Sequence, residues 1–344
     1  MTMKTLMENE LYSAPEAVKA CYEKNRETVK AIAAEAKNRG VYDIVTAGRG
    51  TSHHAAICFK VFAEVLAGKN VAHTNPSTNN VYNAAIDMSK TLYVVISQSG
   101  MSPDTVTMLK GAIKNGAMTV AVTNNENSEV TKLADFTLLL AADEEKAVAA
   151  TKTFTTELAA LLMLAAALGG KTVCFNKIIK TLETLKPRLP EISALSNKLA
   201  EYPEVIVLSR GVTEGISREC GLKLTETTYK MTYTGSANEF QHGPKALISE
   251  GTPVILLAPL SEFADYYTDC AKKLKKQGAF LISLTDIGEV KEISNMFFEM
   301  PSCDFFEASI VYAFAIQAMA CYTAVTMGLN PDAPRNLNKV TITE

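Results

Sequence analysis

The chain contains the sequence Val94-Val95-Ile96-Ser97-Gln98-Ser99-Gly100-Met101-Ser102-Pro103-Asp104-Thr105, in which an apolar run leads into a serine-rich loop at residues 97–102, called here the serine loop. The apolar run predicts a buried strand. Ser102 and Pro103 are typical of a helix start, as N-cap and first helical residue. Because N–H groups at a helix start bind anions, the loop suits a phosphate. An ordinary capped turn explains the same serines, and Asp104 disfavours an anion unless its carboxylate points away.

Apolar runs of strand length alternate with helical stretches on both sides of the serine loop. The first series of predicted strands covers residues 42–47, 91–96, 118–122 and 136–140. A second series repeats this spacing at an offset of roughly 160 residues, with matching segments at 209–211, 254–257, 281–286 and 295–300. Such alternation is typical of a parallel sheet with helices on both faces. We therefore predict an α/β protein with two tandem doubly wound parallel-sheet domains, each a flavodoxin-like, three-layer α/β/α unit.

The predicted organisation has five segments. Residues 1–40 form a helical lead-in, 41–170 the first α/β domain, 171–200 a helical connector, 201–330 the second α/β domain and 331–344 a C-terminal tail. Within the lead-in, residues 15–39 have the spacing of one amphipathic helix that ends at Gly40. The apolar run at 158–168 is too short to span a bilayer and predicts a core helix.

The composition limits the kinds of partner that the protein can have. Its 34 basic and 37 acidic side chains give a net charge of −3, with no long basic run. We therefore expect no nucleic-acid partner and no anionic membrane surface. Seven scattered cysteines without a Cys-x-x-Cys pair predict free thiols in a cytoplasmic, reducing setting and no metal site. No cofactor is predicted either, because residues 48–53 lack the third glycine of a dinucleotide fingerprint.

Charged residues that could carry chemistry lie in the second series. Lys223 and Glu226 are three residues apart in a segment with helical spacing, 218–230, so they share one helix face. A solvated surface ion pair is the simpler explanation of this spacing. His242 precedes a Gly-Pro break, which favours an exposed functional turn. The polar tail at 334–344 keeps spaced apolar residues through which it can dock.

These segments together resemble the sugar isomerase (SIS) domain family, in particular the isomerase half of glucosamine-fructose-6-phosphate synthase and the SIS-type glucosamine-6-phosphate deaminases. The resemblance covers nearly the whole chain, through motifs at residues 48–52, 96–100, 148–152, 222–226, 242–244 and 334–344. Residues 99–104 and 145–152 look closer to the deaminases than to the synthase. The resemblance implies an enzyme that isomerises a sugar phosphate.

The resemblance also implies roles for individual residues. Glu226 would move a proton between C1 and C2 of the sugar, with Lys223 as a supporting lysine. His242 would open the sugar ring from the neighbouring subunit, which implies a homodimer. Lys339 would meet the open-chain carbonyl, either by forming an imine or by stabilising charge. The residues that would contact the substrate are Gly50, Thr51, Ser52, Ser97, Gln98, Ser99, Ser102, Val148 and Ala150.

The implied activity is deamination of glucosamine 6-phosphate to fructose 6-phosphate and ammonia, without a cofactor. Glutamine-driven synthesis is not expected, because Thr2 stands where the synthase has its catalytic cysteine. Thr225 and Gln241 replace two lysines of the synthase, which leaves the charge of the pocket and the substrate open. The alternatives are a deglycase or isomerase of another 6-phosphosugar amine, and a non-catalytic sugar-phosphate sensor.

Overall fold

The computed structural model describes residues 4–82 and 84–339, which form two compact units. The first, here the N-terminal unit, consists of Ala14–Glu145, Lys152–Asn176 and the chain end from Asn338. The second, here the C-terminal unit, consists of the residues up to Ser13, Lys146–Thr151 and Lys177–Leu337. The predicted boundaries of the five segments stay a prediction, and residues 340–344 of the predicted tail lie outside the described residues.

The N-terminal unit contains a five-stranded sheet in the order β2-β1-β3-β4-β5, with every neighbouring pair parallel. Its strands are β1 (Asp43–Ala47), β2 (Val71–His73), β3 (Thr91–Ile96), β4 (Met118–Thr123) and β5 (Phe136–Leu139). Its helices are α2 (Ala14–Asn25), α3 (Thr28–Asn38), α4 (Thr51–Ala67), α5 (Pro76–Asn80), α6 (Pro103–Lys114), α7 (Glu129–Leu133) and α8 (Lys152–Leu168). Strands β3 and β4 are buried along their full length, which places the core around the centre of this sheet.

The C-terminal unit contains a second parallel sheet with the same strand order as the first, β7-β6-β8-β9-β10. Its strands are β6 (Glu204–Ser209), β7 (Met231–Ser236), β8 (Pro253–Ala258), β9 (Phe280–Thr285) and β10 (Met296–Glu299). Its helices are α1 (Leu6–Tyr12), α9 (Phe175–Leu185), α10 (Ser193–Ala200), α11 (Glu214–Thr228), α12 (Ala237–Phe240), α13 (Ala264–Lys276), α14 (Gly288–Ile293) and α15 (Phe305–Thr326). The predicted fold class, a duplicated doubly wound α/β protein, is confirmed.

Helix α15 has the length and apolar character of a membrane-spanning helix. However, 89% of its most hydrophobic window is buried inside the protein, as expected for a core helix. Asp304 begins it with a capping box, in which its carboxylate accepts the N–H groups of Phe306 and Glu307. The predicted core helix at 158–168 is also found, as the second half of α8, and all but the last two residues of α8 are buried.

The prediction of one helix over residues 15–39 is wrong, because two helices, α2 and α3, cover this segment. The cause is the buried side chain of Asn25 at the end of α2. Its amide nitrogen donates to the carbonyl of Leu139 at 2.7 Å, and its amide oxygen accepts the Leu139 N–H at 3.0 Å. The side chain thus serves as a hydrogen-bonding partner for the edge strand β5, and the helix ends where this contact is made.

Candidate active site

The serine loop joins β3 to α6, as the sequence predicts. Ser102 is the N-cap residue and Pro103 the first helical residue. Gly100 makes the turn with a φ of +63°, where a Cβ atom would lie 2.3 Å from the Ser128 hydroxyl. The neighbouring loop after β4 holds the turn in place, because Asn124 donates its backbone N–H to the carbonyl of Gln98. The loop is therefore a fixed structure, and its shape requires glycine at position 100.

Asp104 occupies the first turn of α6 and is compensated by a cation. Its Oδ1 accepts the Thr105 N–H at 2.9 Å and the Ser102 hydroxyl at 2.7 Å. Its Oδ2 lies 2.8 Å from Nε and 2.7 Å from a terminal nitrogen of Arg49. The Ser102 hydroxyl therefore does not cap the helix. Because the guanidinium balances the buried carboxylate, Asp104 does not exclude an anion from this edge of the sheet.

A cavity of about 440 Å³ opens beside these residues in the N-terminal unit. The loops after β1 and β3 meet there, at the point where the strand order reverses and doubly wound proteins bind ligands. Hydroxyl groups and two cations dominate its lining, which comprises Arg49, Gly50, Ser52, Ile96, Ser97, Gln98, Ser99, Ser102, Thr105 and Lys339. Donors of this kind, gathered at the starts of two helices, suit a phosphate.

Ser52 contributes to this cavity from the first turn of α4. Its hydroxyl donates to Oε1 of Glu157 at 2.8 Å, and both side chains are buried. Glu157 lies on α8, so the start of α4 is tied to the core helix of the same unit. Thr51, the first residue of α4, is half-buried and does not line the cavity, although the sequence predicts it as a substrate contact.

A second cavity, of about 590 Å³, adjoins the first and shares Gln98, Ser99 and Lys339 with it. Its charged lining is mainly acidic, with Glu126, Asp143, Glu144 and Glu145 against Lys24 and Lys339. Lys339 donates to Oε2 of Glu145 at 2.7 Å, and the Glu145 side chain is fully buried. The two cavities thus place a phosphate-compatible surface next to an acidic one.

In the C-terminal unit, α11 carries three charged side chains that contact one another along the helix, Glu219, Lys223 and Glu226, called here the charged row. Lys223 donates to Oε2 of Glu226 and lies 3.5 Å from Oε1 of Glu219. The side chains of Lys223 and Glu219 are 1% and 0% exposed, whereas Glu226 keeps 21%. The alternative of a solvated surface pair is therefore wrong, because only Glu226 reaches solvent. An acid that is oriented by a buried lysine and still accessible can exchange protons with a ligand.

Gly221 lies two residues before Lys223 in α11 and faces the edge strand β7. A Cβ atom at Gly221 would lie 2.0 Å from the Thr234 side chain on β7. The helix therefore packs against the edge strand through its backbone at Gly221. The helix ends at Thr228, before the predicted limit of 230, because Tyr229 adopts a left-handed conformation with a φ of +61°.

The remaining predicted residues lie in loops of the C-terminal unit. His242 is exposed in a turn after α12, and Gly243 follows it with a φ of +141°. Val148 and Ala150 are half-buried in the 146–151 loop. Two hydrogen bonds hold this loop, since the Val148 N–H donates to the Asp332 carbonyl and the Gln317 side-chain amide donates to the Thr151 carbonyl. His242 thus occupies the exposed turn that its Gly-Pro context predicts.

The structure groups the predicted residues into two sets, one in each unit. The first set, in the 440 Å³ cavity, contains Gly50, Ser52, Ser97, Gln98, Ser99, Ser102 and Lys339. The second set contains the contacting pair Lys223 and Glu226. Four charged residues that line the cavity or contact these sets were not predicted as site residues, namely Arg49, Glu145, Glu157 and Glu219. Glu219 had a sequence signal in its spacing of four residues from Lys223, and Arg49 and Glu145 lie within the motifs at residues 48–52 and 145–152.

Acids and histidines in the described ranges do not form a metal centre. Between residues 4 and 339, excluding 83, no group of three or more His, Cys, Asp or Glu side chains could hold a metal ion.

All seven cysteines are free thiols, and five of them are buried.

A duplicated doubly wound fold with a hydroxyl-lined cavity at a strand switch point defines an α/β protein whose cavity suits a small anionic ligand. More particularly, the SIS domain model matches residues 37–167 and 198–327, and the chain belongs to the SIS domain family.

Individual relatives agree with this assignment. The chain is 36% identical to glutamine–fructose-6-phosphate aminotransferase (isomerizing) from Thermococcus kodakarensis, over 97% of this chain and 57% of that protein. It thus spans little more than half the length of this relative. The C-terminal domain of glucosamine-fructose-6-phosphate aminotransferase from Francisella tularensis superposes with a TM-score of 0.83 and 26% identity, over 97% of this chain and 99% of that one. Glucosamine-6-phosphate deaminase from Thermotoga maritima shares the fold, with a TM-score of 0.77 at 20% identity over 98% and 100% of the two chains.

Proposed function

We propose that the protein is a phosphosugar isomerase that acts on an amino-sugar 6-phosphate, with glucosamine 6-phosphate as substrate and fructose 6-phosphate and ammonia as products. One observation carries the proposal. A hydroxyl-lined cavity with two cations adjoins an acidic cavity, and Lys339 lines both. A phosphate at one end of the substrate and an ammonium group near the other would match these two surfaces. Membership of the SIS family supports a sugar phosphate as the ligand.

The reaction needs a proton transfer along the sugar chain. In the proposed mechanism, His242 opens the ring and exposes the C1 carbonyl. Glu226 takes the proton from C2 and returns it to C1, which converts the aldose amine into a C2 imine. Water then hydrolyses the imine to the ketose and ammonia. Lys223, fixed next to Glu226, keeps the carboxylate oriented for this transfer.

The residues of the first cavity would hold the substrate during these steps. Ser97, Ser99 and Ser102 would donate to the phosphate, with Arg49 supplying charge. The phosphate would also be contacted by Gly50, Ser52 and Gln98. Thr51, in the first turn of α4, is proposed as a further substrate contact. Val148 and Ala150 are proposed to contact the sugar. Anchoring the phosphate fixes the reacting carbons and lowers the entropic cost of proton transfer.

We further propose that the active form is a cytoplasmic homodimer in which His242 of one subunit serves the substrate bound by the other. The exposed turn that carries His242 supports this, because an accessible side chain on a short loop can reach another chain.

The test is to incubate the purified protein with glucosamine 6-phosphate and to measure ammonia and fructose 6-phosphate in coupled assays. Glu226→Gln should lower kcat by about 10²–10⁴-fold, the usual effect of removing a general base. Glu214→Gln is the matched control, since Glu214 lies on the same helix, is partly exposed and pairs with Arg218 at 2.9 Å. It should keep wild-type activity. Equal loss in both variants, or no ammonia from the wild type, would contradict the proposal.

A second candidate is a deglycase that releases a larger amine from a 6-phosphosugar. The volume of the acidic cavity, about 590 Å³, favours it, because a substituent on the amino group has room there. A panel of N-substituted 6-phosphosugars distinguishes the two functions. Faster release of the larger amine than of ammonia would identify the deglycase.

A further inference from the structure

Helix α1 and the 146–151 loop meet within the C-terminal unit through the side chain of Glu10, a half-buried residue of the helix. Its Oε1 accepts the Lys146 N–H, and its Oε2 accepts the Ala147 N–H at 3.1 Å. The loop belongs to no helix or strand, so its backbone donors depend on partners from other segments. Because charge-assisted hydrogen bonds are short and strong, a carboxylate that accepts two successive N–H groups fixes the direction of the chain at the start of the loop.

The same helix covers one face of the loop with apolar contacts. Met7 packs in a buried cluster with Ala147 and Ala149, and each of these three residues is at most 1% exposed. Val148 and Ala150 alternate with the two alanines and are only half-buried. Helix α1 therefore supports the face of the loop that is turned to the core, whereas Val148 and Ala150 keep exposed surface that a ligand can reach.

Helix α1 is itself anchored at both of its ends. The Asp332 carboxylate accepts the first two N–H groups of the helix, at 2.9 and 2.8 Å, which have no acceptor inside a helix. At the other end, the Tyr12 hydroxyl lies 3.1 Å from the hydroxyl of Tyr322 on α15. The Asp332 carbonyl also accepts the Val148 N–H, so the helix and the loop share one anchor. Glu10 thus extends to the loop from a fixed support.

We propose that Glu10 is a positioning residue, which holds the 146–151 loop in the conformation that lets Val148 and Ala150 contact the sugar. Contact of these two residues with the sugar is part of the proposed function, on which this inference rests. Without the carboxylate, the loop would exchange among several conformations, and a ligand that needs one of them would bind in proportion to its population. A loop that is competent for roughly a tenth of the time gives a Kd about tenfold higher.

The first experiment compares two probes by equilibrium binding, glucitol 6-phosphate and inorganic phosphate. Glucitol 6-phosphate has no carbonyl group, so it binds without being turned over. Glu10→Ala should raise its Kd by about tenfold and leave the Kd of inorganic phosphate unchanged, because the serine loop lies in the N-terminal unit. Glu10→Gln keeps one acceptor oxygen and should fall between the wild type and Glu10→Ala. Equal weakening of both probes would show a merely structural role, and no weakening of either would leave Glu10 without a role in binding. Both results overturn the proposal.

Glu8→Ala is the matched control for helix α1. Glu8 lies on the same helix and is also half-buried, but its Oε1 accepts the Tyr322 hydroxyl at 3.3 Å and makes no printed contact with the loop. The variant should keep the wild-type Kd for glucitol 6-phosphate. A rise as large as that of Glu10→Ala would assign the effect to the stability of the helix and contradict the proposal.

The second experiment measures hydrogen–deuterium exchange in the ligand-free protein, by mass spectrometry on overlapping peptides that cover residues 146–151. Glu10→Ala should speed exchange of the Lys146 and Ala147 amides, whereas α15 should keep its wild-type rate. Unchanged exchange in the loop would overturn the inference. A wild-type protein that binds glucitol 6-phosphate more tightly than phosphate, but releases no ammonia from glucosamine 6-phosphate, would overturn the proposed function and leave Glu10 its role. Ammonia release by a wild type whose Kd values for the two probes are equal would overturn the inference alone.

Discussion

At the scale of single residues, Gly100 sets the shape of the serine loop. A Cβ atom there would overlap the Ser128 side chain, and the φ of +63° is strained for other residues. Gly100→Ala should therefore deform the loop and raise KM for the sugar phosphate by about tenfold or more, a loss of roughly 1.4 kcal/mol in binding. Gly68→Ala is the matched control, because Gly68 has a φ of +60° with open space around it. It should lose about 1 kcal/mol of stability and keep the wild-type KM. Similar KM values in both variants would contradict the prediction.

Arg49 gives a second prediction, because it both lines the phosphate cavity and neutralises Asp104. Arg49→Met removes a cation from the cavity and an ion-pair partner from the Asp104 carboxylate, so KM should rise by about tenfold or more while kcat changes little. Adding Asp104→Asn should restore part of the affinity, because the repelling charge is gone. Inhibition constants for inorganic phosphate measured on the three proteins check this. Weaker binding in the double variant than in Arg49→Met would contradict it.

The sequence could predict residue types and spacings at this scale, but not burial. The helical spacing of Lys223 and Glu226 correctly predicted that they meet, and the serine loop was placed correctly between strand and helix. The buried partners Glu145 and Glu219 were missed, because a charged side chain is normally exposed and only tertiary packing shows otherwise.

At the scale of elements, the contact of α11 with β7 leads to a prediction about Glu226. Gly221→Ala places a methyl group against Thr234, so the helix must move away from the strand. We expect a loss of about 1–3 kcal/mol of stability and a lower kcat, since Lys223 and Glu226 move with the helix. Gly288→Ala in α14, where a Cβ would meet open space, is the control and should change neither quantity. Urea unfolding and steady-state kinetics measure both, and an unchanged kcat in Gly221→Ala would contradict the prediction.

Two strands that were not predicted from the sequence occupy the same topological place in their sheets. Strands β2 and β7 are the edge strands next to β1 and β6. Strand β2 has three residues, of which only Val71 is buried, and β7 is mostly half-buried. The central strands β3 and β8 were found because their burial on both faces produces continuous apolar runs, and β2 and β7 lack such a run.

At the scale of the whole molecule, burial separates the seven thiols by reactivity. It raises the pKa of Cys21, Cys270 and Cys321 to about 12, so these thiols stay protonated at neutral pH. Cys174 is exposed. We expect one fast-reacting thiol in a titration with a chromogenic disulfide at pH 8, with the others reacting after unfolding. Cys174→Ser should abolish the fast phase, and its persistence in that variant would contradict the assignment.

The proposed homodimer leads to a complementation test. If His242 acts across the subunit boundary, Glu226→Gln and His242→Ala are each inactive, but a hybrid dimer contains one site with both intact residues. Random reassociation of equal amounts makes half of the dimers hybrids, so about a quarter of the wild-type activity should return on mixing. Mixing each variant with a Glu226→Gln/His242→Ala double variant is the control, because no hybrid then contains a complete site. If His242 acted within its own subunit, no mixture would recover activity, and the variants would stay inactive after exchange confirmed by native mass spectrometry.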